Sequence, residues 1–78
     1  MEKLKTVFAR VMNMKESEIN ENSSPENVES WDSFNSLMLI SELEKNFNAH
    51  FTTEEITSVK NYGDIVKILK KHGLERQI

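Results

Sequence analysis

The heptapeptide Trp31-Asp32-Ser33-Phe34-Asn35-Ser36-Leu37 is the one stretch whose residue types and spacing point to chemistry. Ser33 supplies a hydroxyl, Asp32 precedes it with a carboxylate, and the pair stands between a polar stretch and an apolar-periodic one. Both residue types are good N-caps, because a side-chain oxygen accepts from the unpaired amides of a first helical turn. A serine at such a junction is also open to a modifying enzyme. A phosphate ester on it would meet free backbone N–H groups and the positive end of the helix dipole. Capping and modification are both open at this point. Ser36 lies three residues on, about 300° further round a helix, where the first turn should shield it.

The other candidates are weaker. His50 and His72 have no partner at H-x-x-H or H-x-x-x-H spacing, which argues against zinc. Asn20-Glu21-Asn22-Ser23-Ser24 faintly resembles a calcium loop, but Pro25 stands where the loop needs glycine and Trp31 where it needs glutamate. Glu54-Glu55 is the acidic first turn of a helix. No nucleophile–base–orienter set can be read from spacing, and one small core hardly forms a water-excluding pocket. An independent enzyme is not expected.

The elements that must position Ser33 are helical. Leu4, Val7, Phe8, Val11 and Met14 keep to one face, predicting a first helix over about 2–14. Residues 15–31 have no sustained period and hold the only proline, which predicts a long loop anchored by Ile19, Val28 and Trp31. A second helix is predicted over about 33–47, with Leu39, Ile40, Leu43 and Phe47 inside a core arc of about 100°. Met38 falls off that arc and should face solvent. Thr52 or Thr53 with Glu54 and Glu55 predicts a short third helix over about 53–58, with Phe51 in the link before it. Asn61 and Asp64 open a fourth over about 61–72, with Tyr62, Ile65, Val66 and Leu69 as its stripe and Ile68 close by. Gly73 suits the position just past its end. The expected architecture is all-α, a small four-helix bundle with a long first loop and a short third helix.

Composition restricts the function further. The chain has 78 residues, 37% apolar and 29% charged, with no cysteine, so one modest core must hold it without disulfides. Two glycines exclude a Walker loop, a dinucleotide fingerprint and a nucleophile elbow, each of which needs several. No apolar run approaches a membrane span, and the N-terminus has no secretory core, so a cytoplasmic protein without membrane insertion is expected. The net charge of −3 hides a segregation. Residues 16–55 carry ten carboxylates against Lys45 alone, a balance of −9, and each flank carries +3. An acidic middle repels phosphate backbones and attracts basic protein surfaces, so nucleic acid is not an expected partner.

With these residues in view, the sequence resembles the acyl carrier protein family of phosphopantetheine-attachment domains. Asp32-Ser33-Phe34 is similar to the family's D-S-L motif, and Leu37, Leu39, Ile40, Leu43, Glu44 and Phe47 to its second-helix pattern ending in L-E-x-x-F. Phe51, Val59 and Ile65 take usual apolar positions, so the likeness runs from Val7 to Leu69. It implies that Ser33 bears 4′-phosphopantetheine taken from coenzyme A, and that Asp32 is recognised by the phosphopantetheinyl transferase. The arm's thiol would hold acyl or aminoacyl groups as thioesters, making the domain over residues 1–78 a monomeric shuttle whose catalysis belongs to partner enzymes.

Its departures carry information too. Phe34 replaces the usual leucine, as in D-alanyl carrier proteins, and Asn35, Met38 and Lys45 occupy positions often acidic in carriers of primary fatty acid synthesis. That favours a narrower fatty acid, polyketide or other acyl-transfer pathway with its own loading enzyme, synthase or acyltransferase. The expected docking set is Phe34, Asn35, Leu37, Met38, Glu42 and Glu44. A reading from another class is a non-catalytic helical protein-interaction module in which Ser33 only caps a helix.

Overall fold

The computed structural model describes residues 2–78. Four helices follow one another: α1 (Leu4–Met12), α2 (Ser33–Phe47), α3 (Thr53–Ser58) and α4 (Tyr62–Lys71). Single 3₁₀ turns occupy Glu16–Glu18 and Glu75–Gln77, and no strand occurs among the described residues.

α1 is shorter at both ends than the expected 2–14. Lys3 is extended, and Asn13 turns left-handed at φ 53° and ψ 53°, so the Met14 N–H closes the end on the Ala9 carbonyl at 3.0 Å. Asparagine tolerates this conformation better than other non-glycine residues, which makes it an effective stop. The stop also corrects the core face. Met14 leaves the helix and is only partly buried, whereas Met12, unnamed in the sequence reading, is 1% exposed. α2 ends the same way, with Asn48 at φ 51° and the Ala49 N–H on the Glu44 carbonyl at 3.1 Å. α4 is one residue shorter at each end than 61–72 because Asn61 and His72 are its flanking caps. Gly73, at φ 74°, takes the left-handed position just past it.

The long loop is pinned rather than loose. Ile19, Val28 and Trp31 are all buried, as expected of anchors. The Ser30 hydroxyl donates to the Met12 carbonyl at 2.6 Å, and the Tyr62 N–H donates to the Ser23 carbonyl at 2.7 Å. The Gly63 N–H donates to the Glu21 carbonyl at 3.0 Å. A Cβ at Gly63 would sit 3.1 Å from that oxygen, so this close approach favours glycine.

Phe8 lies at the centre of the core. Its ring meets Trp31 and Tyr62 edge-on, each at 5.1 Å between centroids, joining α1 to the loop and to α4. Leu39, Leu43 and Phe47 from α2, Phe51, and Ile65 and Leu69 from α4 complete it. Ile40 and Val66, expected in the core, are only partly buried and pack on its edge.

Candidate functional site

Loop and helix meet at Asp32, whose backbone is extended (φ −111°, ψ −176°). Its side-chain Oδ1 accepts from the Asn35 N–H at 2.8 Å, and its carbonyl accepts from the Ser36 N–H at 2.9 Å. Asp32 is therefore the cap. Ser33, the first residue of α2, is exposed, and its hydroxyl has no hydrogen-bond partner among the described residues. The N–H groups of Ser33 and Phe34 have no acceptor among the described residues. An esterified phosphate on Ser33 would find those donors beside it, together with the positive end of a 15-residue helix.

The neighbouring polar residues are engaged elsewhere. The Trp31 indole N–H donates to the Ser36 hydroxyl at 2.7 Å, holding Ser36 half-buried under the first turn. The Asn35 side chain donates to the Ser30 carbonyl at 2.7 Å and so ties the loop to α2. One hydroxyl is left free, and one is locked. A cleft of about 90 Å³ starts beside Ser36 and runs between Pro25, Trp31, Leu39, Ile40, Ile56, Val59 and Ile65, its walls mainly apolar.

No model of a known protein family matches this sequence, and no curated protein matches it. Among solved structures, it is similar to the solution NMR structure of a holo acyl carrier protein from Geobacter metallireducens. The TM-score is 0.81 at 25% identity, over 94% of this chain and 84% of that one. The fold is that of an acyl carrier protein.

In this carrier fold the six residues expected to dock partners separate into two groups. Phe34 and Leu37 are 69% and 66% exposed, and Met38, as its place off the core arc required, is 44% exposed. They share the face that begins at Ser33. Glu42 instead turns toward α1, where its Oε1 accepts from Arg10 Nη1 at 2.8 Å. Arg10 is clasped from the other side by Glu2 at 2.7 Å, and its guanidinium holds the Glu42 carboxyl below its usual range. Glu44 accepts from the Phe51 N–H at 2.9 Å and lies 3.4 Å from His50 Nδ1, fixing the link between α2 and α3. Asn35 likewise faces the loop.

Two features of the site were not read from the sequence. The Trp31–Ser36 bond joins residues five apart across a loop–helix junction, where no periodicity applies. Ser41 and Lys45 continue the exposed ridge from Ser33 and Leu37 at four-residue spacing, a signal that was present in the sequence.

The far end of the short helix carries a second ionic cluster. The Thr52 hydroxyl accepts from the Glu55 N–H at 3.1 Å, and Glu55 Oε1 accepts from the Thr52 N–H at 2.9 Å. Glu55 Oε2 lies 2.9 Å from His72 Nε2 and 3.6 Å from Lys71 Nζ, so a buried carboxylate fastens α3 to the end of α4. The Thr52 N–H above all, helped by His72 and Lys71 and opposed by burial, brings Glu55 down to a pKa of about 2.

Proposed function

We propose that this protein is a carrier that holds acyl or aminoacyl groups on a 4′-phosphopantetheine arm attached through Ser33. The observation that supports it is the division of labour at the loop–helix junction. Asp32 caps α2, which leaves the Ser33 hydroxyl exposed and unbonded beside two free backbone N–H donors. In the attachment step, Ser33 Oγ would form the new bond to the phosphorus of coenzyme A's pantetheine phosphate. The pyrophosphate bond breaks, 3′-phosphoadenosine 5′-phosphate leaves, and the serine proton passes to the transferase. When bound, the arm supplies a thiol that a cysteine-free chain lacks.

The chain's own residues then orient and expose the arm, while reactions on the cargo belong to a transferase, a loading enzyme and an acyltransferase or synthase. The cleft of about 90 Å³ beside Ser36 offers mainly apolar walls to whatever the arm carries. Substitution of the often-acidic positions by Asn35, Met38 and Lys45 supports service to a dedicated pathway.

Intact-mass measurement after incubation with a phosphopantetheinyl transferase, coenzyme A and Mg²⁺ tests this directly. Wild type and Ser36→Ala should each gain one phosphopantetheine unit, and Ser33→Ala should gain none. Unchanged wild-type mass with several active transferases would leave a helical interaction module as the better reading.

A further inference from the structure

Two side-chain hydrogen bonds staple the chain across the junction that holds Ser33. The Trp31 indole N–H donates to the Ser36 hydroxyl at 2.7 Å, and the Asn35 amide donates to the Ser30 carbonyl at 2.7 Å. Each joins residues five positions apart, and Ser33 lies inside both. The loop side of the staples is itself anchored on α1. The Ser30 hydroxyl donates to the Met12 carbonyl at 2.6 Å, and the buried Trp31 ring stands edge-on to Phe8. A first helical turn ordinarily frays, because its N–H groups have no partners within the helix. The cap of α2 is complete without the staples, since Asp32 takes the Asn35 N–H on Oδ1 and the Ser36 N–H on its carbonyl. What the staples add is a backbone fixed on both sides of Ser33.

We infer that Trp31, Asn35 and Ser36 are positioning residues for the attachment step. They hold Ser33 Oγ and the free N–H groups of Ser33 and Phe34 in one arrangement before the transferase arrives. The inference rests on Ser33 being the modified residue. In that step Ser33 Oγ bonds to the phosphorus of coenzyme A's pantetheine phosphate as the pyrophosphate bond breaks. The leaving group is 3′-phosphoadenosine 5′-phosphate, and the serine proton passes to the transferase. None of the three side chains needs to touch the phosphate. Their effect is to remove conformational freedom that a frayed turn would have to lose on the way to the transition state. If the junction opened part of the time, only the closed fraction would react. Contacts outside the junction are the same in both states, so the loss falls on kcat rather than KM. Ser36 suits this role and not modification, because its half-buried hydroxyl is committed to the indole.

The test uses the full chain with a phosphopantetheinyl transferase, coenzyme A and Mg²⁺, well below the melting temperature. It reads kcat and KM for Ser33 modification separately. Ser36→Ala and Asn35→Ala should each lower kcat about threefold, and the double variant about tenfold, with KM within about twofold of wild type. All three should still reach the mass of one added phosphopantetheine unit, given time. Ser36→Thr keeps the acceptor, and the adjoining cleft of about 90 Å³ accepts its methyl group, so it should restore the wild-type kcat. Native hydrogen exchange at the residue 35 and 36 amides should accelerate in the alanine variants and not in Ser36→Thr. Asn48→Val, at the far end of α2, loses comparable stability and should keep the wild-type kcat. An equal loss of kcat in Asn48→Val would overturn the inference by making global stability the cause. A rise in KM at unchanged kcat would overturn it in favour of direct contact with the enzyme. Wild-type kinetics in the double variant would overturn it too, while leaving the carrier reading intact. Failure of several active transferases to modify the wild type would remove the carrier reading and this inference together.

Discussion

Two serines three residues apart have opposite fates, and the difference is a single hydrogen bond. Ser36 accepts from the buried Trp31 indole, whereas the Ser33 hydroxyl has no hydrogen-bond partner among the described residues. Ser36→Ala leaves an indole N–H buried without an acceptor, a loss of about 1–2 kcal/mol. Ser33→Ala removes only an exposed hydroxyl and should stay within about 0.5 kcal/mol of wild type. Urea denaturation of the two variants checks both values, and equal losses would mean that the indole bond contributes nothing. Glu55 makes a second residue-scale prediction. Its folded pKa of about 2 lies below the ordinary 4.5, so the native state favours the ionised form. The stability it contributes is present above pH 4.5 and is lost as pH falls toward 2. Melting curves of wild type and Glu55→Gln should therefore differ most at pH 5 to 6 and converge as pH approaches 2. A constant gap across that range would rule out the linkage.

At the scale of the element, each helix is bounded by side chains that the local sequence could supply. Asp32, Thr52 and Asn61 each accept from the N–H three residues on, at the starts of α2, α3 and α4. Asn13 and Asn48 end α1 and α2 in the left-handed region. A residue with Cβ branching there incurs about 1–2 kcal/mol of backbone strain. Asn48→Val should thus destabilise by at least that amount, while Asn48→Gly should be neutral or slightly stabilising. Chemical denaturation of the pair distinguishes conformational strain from loss of the asparagine side chain, since both variants remove the amide. The six residues of α3 are too few to hold a helix by propensity. It persists through the Thr52–Glu55 capping box, the contacts of Glu55 with α4, and the partly buried Ile56 and Val59.

Across the whole molecule, Phe8 is the residue on which the elements converge. It is fully buried and meets Trp31 and Tyr62 at right angles, linking α1, the long loop and α4. Phe8→Ala should cost about 3–5 kcal/mol, a large share of the 5–15 kcal/mol available to a small domain. A loss below about 1 kcal/mol in denaturant titration would mean that the aromatic cluster is not the keystone of the core. The same packing folds the charged segments together. Arg10 reaches Glu42, 32 positions away, and Lys71 reaches Glu55, so carboxylates of the acidic middle are answered by cations from both flanks.

How much of this was legible follows from the range of each signal. The 3.6-residue period places the four helices, and residue type at the junctions places their caps. The Asp32-Ser33-Phe34 motif marks the candidate serine, because all these signals act within a few residues. The wheel of α2 also brings Met38 to solvent without any knowledge of its neighbours. What lay beyond reach depends on partners distant in sequence. Arg10 draws Glu42 away from the surface it was expected to share with Met38, and the Phe51 backbone does the same to Glu44. The choice of Met12 over Met14 rests on one left-handed asparagine that no periodicity contains. Sequence determined which residues could reach the face beside Ser33. Tertiary structure decided which of them stay there, because an exposed carboxylate moves to the nearest cation or N–H that folding provides, while an apolar side chain with no free core position remains where the helix puts it.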